Sequence, residues 1–148
     1  MSENKSFKGI ERGRAGYAYK CAKDGSNLSQ RDEYKSYVNN IPVYIKTNGL
    51  GAALAFVNAK REEDKTKRGY AYEMIYVQTF EYLQKFVGHI VDFRGKNKND
   101  MIKEIISLNS AEYRSLTIES LAFFIWLRRF VNGLIKEDKQ KIEEPTNA

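Results

Sequence analysis

The 148-residue sequence contains very few of the residues that build disulfide frameworks and metal sites. Its one cysteine, Cys21, has no partner in the chain, and this pattern is typical of a reducing compartment, so we expect a cytoplasmic protein. Without an activating base placed by the sequence, Cys21 is expected to be a small core residue. Its one histidine, His89, excludes a histidine cluster. We therefore expect no metal and no other cofactor.

Long apolar segments and catalytic motifs are also missing. No run of about 18 apolar residues occurs, so we expect no membrane-spanning helix and no membrane partner. Residues 1–14 lack the apolar segment of a secretory signal. Neither a G-x-x-x-x-G-K-S/T phosphate loop nor a G-x-S-x-G nucleophile motif occurs. These absences favour a protein that is not an enzyme.

Basic residues exceed acidic ones. The formal net charge is +6 and the isoelectric point is about 9.3. This balance favours association with polyanions through phosphate contacts, but it does not identify the nucleic acid.

Helical spacing dominates the chain, and only two prolines interrupt it. The pattern predicts an all-α fold, a compact bundle of six or seven helices, in a single domain over residues 7–136. Residues 137–148 are expected to form a charged, flexible tail. Asn39 and Asn40 before Pro42 predict a break between two helices. Thr117 is the predicted N-cap of the last helix.

The stretch PVYIKTNGLGAALAF, residues 42–56, admits two interpretations. A strand, a glycine turn and a helix would form a nucleotide site, but Leu54 occupies the third small position of the G-x-G-x-x-G fingerprint. A buried helix explains more residues, because Gly51, Ala55 and Ala59 would form a smooth row against a neighbouring backbone. We expect any irregularity in this helix at Asn48 and Gly49.

Two classes of side chain lend themselves to nucleic-acid contact. The ten tyrosines could stack on bases, but most have helical spacing among apolar residues, which favours core packing. Arg128 and Arg129 interrupt the most apolar helix, so one of them must point away from the core. That arginine is either a salt-bridged edge residue or a contact for phosphate or a partner.

Four stretches together resemble a known family. They are ERGRAGYAYKCA (11–22), IPVYIKTNGLGAALAF (41–56), AEYRSLTIESL (111–121) and AFFIWLRRF (122–130). In this order they are similar to the small, fifth subunit of the Cmr complex, the type III-B CRISPR–Cas effector that targets RNA. The resemblance spans roughly residues 10–135.

The resemblance implies a compact, all-helical, non-catalytic subunit. It implies three kinds of partner: the backbone and large Cmr subunits, copies of the chain itself, and the duplex of crRNA and target RNA. We expect contacts with RNA or with subunits at basic residues of the resembling stretches, namely Arg12, Arg14, Lys46, Arg128 and Arg129. A stand-alone helical DNA-binding module, with a helix-turn-helix around Asn40, is the alternative.

Overall fold

The computed structural model describes residues 2–136, and for residues 2–8 and 10 it describes the backbone alone. Six α-helices account for most of this part of the chain, and it contains no strand. The helices are α1 Ser2–Ser26, α2 Arg31–Asn48, α3 Leu50–Lys60, α4 Tyr70–Phe86, α5 Met101–Ile106 and α6 Ser110–Leu134. The predicted all-α bundle is confirmed. The predicted tail, residues 137–148, lies outside the described residues.

The two longest helices, α1 and α6, pack along each other, and α2 and α4 complete the core around them. Aromatic rings fill the space between α1, α4 and α6. The rings of Tyr82 and Phe123 stack with centroids 4.4 Å apart, and Tyr17 lies 5.9 Å from Phe123. Burial of Tyr17, Tyr34, Tyr76 and Tyr82 confirms core packing for these four tyrosines.

The glycine stretch is helical on both sides of a single break. Helix α2 ends at Asn48 and α3 begins at Leu50, so the interpretation as a strand followed by a nucleotide loop is wrong. The break lies where an irregularity was expected. Gly49 has φ 94° and ψ 159°, a conformation essentially restricted to glycine. The Tyr113 hydroxyl accepts a hydrogen bond of 2.8 Å from the Gly51 amide, which fixes the start of α3 against α6.

The predicted break before Pro42 is wrong, because α2 continues through this proline. The two asparagines that suggested a break lie within the helix. The side chains of Asn39 and Asn132 exchange two hydrogen bonds, of 2.9 and 3.0 Å, and so link α2 to α6. Tertiary contacts therefore hold α2 helical despite the amide hydrogen that Pro42 lacks. Because α2 runs through Asn40 without a turn, residues around Asn40 do not form the helix-turn-helix of the alternative prediction.

The expected row of small residues is wrong for two of its three members. Gly51 is buried, and a Cβ atom there would lie 3.3 Å from both Ile106 and the Tyr113 hydroxyl. Ala55 and Ala59 are exposed. The residues that α3 buries are Leu50, Gly51, Ala53, Leu54 and Val57. The helix therefore packs one face against the core and leaves an apolar face open.

The last helix begins earlier than predicted. Asn109 and Glu112 form a capping box in which each side chain accepts a hydrogen bond from the other residue's backbone amide. Thr117 lies inside the helix, where its hydroxyl donates to the Tyr113 carbonyl at 2.8 Å. The capping box satisfies two backbone amides at the start of the helix, whereas a threonine N-cap would satisfy only one.

Replacing Gly49 by alanine is expected to destabilise the protein by about 2 kcal/mol, because the new Cβ atom strains the backbone at φ 94°. Urea unfolding followed by circular dichroism would measure this loss. Gly88→Ala is the control, since Gly88 is exposed and a Cβ atom there would meet nothing within 4 Å. Equal stability of the two variants would contradict the strained geometry at the break.

Candidate nucleic-acid and subunit interface

Arg14, one of the five predicted contact residues, is engaged inside the protein. Its guanidinium donates to the Glu119 carboxylate at 2.5 Å, to Glu11 at 3.0 Å and to the Tyr82 hydroxyl at 3.0 Å. The side chain is only 11% exposed. Burial opposes the positive charge, but the hydrogen bonds to Tyr82 and Glu119 outweigh it and raise the pKa of Arg14. Arg14 therefore joins α1 to α4 and α6.

Arg12 and Arg129 are both exposed, and a hydrogen bond ties together the segments that carry them. The indole nitrogen of Trp126 donates to the Glu11 carboxylate at 3.1 Å, and Glu11 immediately precedes Arg12. The guanidinium carbon of Arg129 lies 5.9 Å from the centroid of the Trp126 ring, a cation–π distance. Arg12 and Arg129 thus flank one contact between α1 and α6.

Aromatic rings extend this contact along the surface. Phe130 stacks on Trp126 with centroids 5.5 Å apart, and Tyr19 meets Phe130 edge to face at 5.3 Å. Tyr19 is 45% exposed. We call Arg12, Tyr19, Trp126, Arg129 and Phe130 together the α1/α6 face. It carries two exposed arginines and partly exposed rings, and the guanidinium of one of them, Arg129, lies near the Trp126 ring.

Sequence reasoning found the arginines of the α1/α6 face but missed its aromatic residues. Trp126 and Phe130 are four residues apart, a spacing that brings side chains together on a helix. That signal was present in the sequence. The approach of Tyr19 from α1 depends on how the two helices cross, which the sequence does not specify.

The other two predicted residues lie apart from this face or are less accessible. Lys46 is exposed in the last turn of α2, five positions before Gly51, whose amide donates to the Tyr113 hydroxyl. Tyr113 and Arg129 are 16 residues apart on the continuous helix α6, which corresponds to about 24 Å. Arg128 is half-buried, whereas Arg129 is exposed, so Arg129 is the arginine that points away from the core.

Cysteine and histidine, two residue types often used in catalysis, occur once each in the chain. Cys21 is buried, and burial raises the pKa of its thiol to about 12, which disfavours the nucleophilic thiolate. His89 is exposed. Within the described part of the chain, no group of three or more histidine, cysteine, aspartate or glutamate side chains could hold a metal ion.

Three consecutive carboxylates, Glu62, Glu63 and Asp64, lie in the loop between α3 and α4. Glu62 accepts a hydrogen bond from the Gly69 amide, and Asp64 accepts two from Thr66, so these carboxylates close local turns. The hydrogen bonds from Thr66 lower the pKa of Asp64. Glu63 lies 3.9 Å from Arg61. The three carboxylates therefore do not converge on a shared cation position.

Comparison with known proteins identifies relatives of the chain. A family model described as "CRISPR-associated protein (Cas_Cmr5)" matches residues 10–134. The chain is similar to the CRISPR system Cmr subunit Cmr5 of Thermus thermophilus, with 25% identity over 120 residues, 81% of this chain and 90% of the relative. A crystal structure of a CRISPR-associated Cmr5 family protein from the same organism shares the fold. Its TM-score is 0.68 at 23% identity, over 86% of this chain and 97% of that one.

No helix among the described residues is both long enough and apolar enough to cross a membrane.

Proposed function

Because the chain belongs to the Cas_Cmr5 family of CRISPR-associated proteins, we propose that it is a non-catalytic small subunit of the type III-B Cmr ribonucleoprotein complex. In this role it binds the backbone and large subunits, stacks with copies of itself, and lies beside the duplex of crRNA and target RNA. The match over residues 10–134 is the observation that carries the proposal, since it covers nearly the whole described domain.

The α1/α6 face is the proposed RNA contact. Arg12 and Arg129 are exposed, and the hydrogen bond between Glu11 and Trp126 holds their segments together. Two guanidinium groups on a protein with a net charge of +6 suit phosphates of any sequence. The Tyr19 ring, 45% exposed, adds an aromatic contact surface next to Phe130.

The remaining predicted residues receive separate roles. Arg14 fixes α1 against α4 and α6, so its contribution to RNA binding is indirect. Arg128 is half-buried next to Arg129 and contributes positive charge at the edge of the α1/α6 face. Lys46, exposed at the end of α2, contacts a neighbouring subunit.

The burial of Cys21 supports the proposed absence of a catalytic role. The only thiol, that of Cys21, is buried and has a raised pKa. RNA cleavage in the complex would then belong to other subunits. The purified chain is expected to leave a labelled RNA intact in the presence or absence of Mg²⁺.

Reversing both exposed charges, in Arg12→Glu with Arg129→Glu, is expected to weaken target-RNA binding by the assembled complex about tenfold or more. Each lost phosphate contact also removes counterion release, so the slope of log K against log salt should become shallower by about one unit or more. Equilibrium binding of a labelled target RNA at several salt concentrations measures both quantities.

Arg114→Glu is the matched control for this double variant. Arg114 is exposed on the same helix, about 22 Å from Arg129 at 1.5 Å per residue. Its reversal should leave the salt slope unchanged. If the double variant incorporates into the complex and binds RNA with wild-type affinity and slope, the α1/α6 face is not the RNA contact.

A further inference from the structure

Five large apolar side chains are exposed in the described part of the chain, and four of them lie outside the α1/α6 face. Three of the four, Val43, Phe56 and Ile106, surround the outer side of helix α3. The fourth, Ile118, lies on α6 and is 63% exposed. Burying such side chains is favourable, and contiguous exposed apolar surface commonly marks a contact with another molecule.

The first of these two surfaces is centred on α3. A groove of about 490 Å³ lies between this helix and α2, and Val43, which lines it, is 60% exposed. At the start of α3, Ile106 adjoins Gly51, since a Cβ atom on that glycine would lie 3.3 Å from it. The α3 residues between these two side chains are apolar and exposed. We call the whole surface the α3 face, and its members are Val43, Ala52, Ala55, Phe56, Ala59 and Ile106.

The groove in the α3 face has the dimensions and polarity of a helix-binding site. Its lining extends along α2 from Ser36 to Asn48, about 18 Å at the rise of an α-helix, and contains no charged residue. The Tyr44 ring stacks on Phe56 with centroids 5.3 Å apart. Because these rings support each other, the groove is formed before a partner arrives, which lowers the entropy cost of binding.

The second surface is a ridge of suitable length along the solvent side of α6. Residues separated by three or four positions share one side of a helix, and here they are Ser115, Ile118, Ala122 and Ile125, which we call the α6 stripe. It is about 15 Å long. The only charged residue between its two ends is Glu119, and this carboxylate is paired with Arg14. The α6 stripe is therefore an uncharged, largely apolar helical ridge.

The two surfaces lie on different sides of the chain. Tyr113 contacts α3 through the Gly51 amide, and five residues separate it from Ile118, or about 140° around the helix. The α6 stripe thus points away from α3. Two different complementary faces on one chain make a head-to-tail contact, which leaves a free face at each end and allows an open stack. A contact of one face with itself would stop at two copies.

The charges beside the groove also suit a second copy of the chain. Three carboxylates and two cations adjoin one end of the groove. They are Asp32, Glu33 and Glu62, with Lys60 and Arg68. This small acidic excess favours a partner with a net charge of +6. RNA fits less well, because it needs cations close to its phosphates and the groove lining contains none.

We propose that the α3 face of one copy binds the α6 stripe of the next, so that copies stack head to tail. The inference rests on the proposed function, which supplies several copies in one complex. Copies held along one complex have a high effective concentration, so a small apolar contact suffices. Arg129 lies one turn beyond Ile125, so the RNA contact and the contact between copies use different residues.

The test joins neighbouring copies through engineered thiols in the assembled complex. The variant carrying Val43→Cys with Ile118→Cys is treated with a short bis-maleimide, beside each single variant. Native Cys21 is buried, and its thiol has a raised pKa, so it stays unreactive. Gly88→Cys with Ile118→Cys is the matched control, since Gly88 is exposed past the end of α4 and outside both surfaces. The free chains at high concentration are treated in parallel.

The proposal predicts a series of covalent multimers from the variant with both Val43→Cys and Ile118→Cys, and none from the single variants or the control. Adding Ala55→Asp should reduce the multimers about tenfold, because an unpaired carboxylate would be buried against the α6 stripe. Ala55 is exposed, so this change leaves the fold intact.

Several results would overturn the proposal. They are a complex with two or more copies and no multimers, a complex with one copy, and no effect of Ala55→Asp. Dimers of either single variant would show a face bound to itself, and a product with another subunit would assign that face to the subunit. Multimers lost on nuclease treatment would show that RNA joins the copies. Failure of the proposed function is seen separately, as absence of the chain from the crRNA-containing complex. In that case the free chains decide, and no multimers there would overturn the contact.

Discussion

The Gly25→Ala variant is expected to be less stable than the wild-type protein by about 3 kcal/mol or more, because its new methyl group overlaps a buried ring. A Cβ atom at position 25 would lie 2.0 Å from the Tyr34 ring. The ring cannot move aside, since Tyr34 is fully buried and its hydroxyl donates to Gln78 at 2.6 Å. For a chain of this size the melting temperature should fall by roughly 10 °C.

Gly16→Ala is the control in the same helix. Gly16 is exposed, and a Cβ atom there would meet nothing within 4 Å. Alanine is a better helix former than glycine, so this variant should gain up to about 1 kcal/mol. Thermal unfolding of both variants separates the two effects. If Gly25→Ala were as stable as Gly16→Ala, α1 and α2 would not approach each other as closely as the structure shows.

The second large effect is expected at Glu73, which is 6% exposed and holds two cations. Its carboxylate accepts hydrogen bonds from Arg61 at 2.6 Å and from Lys98 at 2.7 Å. It thereby joins the end of α3, helix α4 and the turn before α5. Glu73→Gln removes the negative charge and leaves both cations without it, so we expect a loss of about 3 kcal/mol at neutral pH.

The effect of Glu73 should depend on pH. Burial disfavours its charged form, but the hydrogen bonds from Lys98 and Arg61 outweigh burial and lower the pKa of the carboxyl. Because the pKa of Glu73 is lower in the folded state, its ionised form stabilises the fold at pH values above the unfolded-state pKa. This stabilisation is lost as the pH falls through the folded-state pKa. The stability difference between wild type and Glu73→Gln should therefore be largest near neutral pH and shrink below about pH 4.

Glu63→Gln is the control for Glu73→Gln. The Glu63 side chain is 74% exposed and lies 3.9 Å from Arg61, so its removal should change the free energy of unfolding by less than about 0.5 kcal/mol. Urea unfolding at several pH values measures both variants. A constant difference between wild type and Glu73→Gln from pH 3 to pH 7 would contradict the ion-pair explanation.

Sequence periodicity predicted the fold class well, because helices show their buried face every three to four residues. The apolar helix that contains Arg128 and Arg129 was predicted in this way and is the described helix α6. Element boundaries were predicted less well. Pro42 suggested a helix start, but α2 continues through it, and the contact between Asn39 and Asn132 helps to hold this part of α2 against α6. That contact joins residues 93 positions apart, so no local pattern contains it.

The candidate surfaces were only partly predictable for the same reason. The apolar composition of α3 predicted a buried helix, but Ala52, Ala55, Phe56 and Ala59 are exposed, because composition does not tell which faces the rest of the chain covers. Arg12 and Arg14 are two residues apart in one helix, yet Arg12 is exposed, whereas Arg14 is mostly covered and bonds to Glu11, Glu119 and Tyr82. Distinguishing them requires the position of α6.

The central claim is membership in an RNA-guided complex, and affinity purification of the tagged full chain from its native host tests it most directly. Mass spectrometry and RNA sequencing of the purified material identify what accompanies the chain. The account predicts crRNA together with a set of larger Cmr subunits. Recovery of the chain alone, or with proteins but no crRNA, would contradict it.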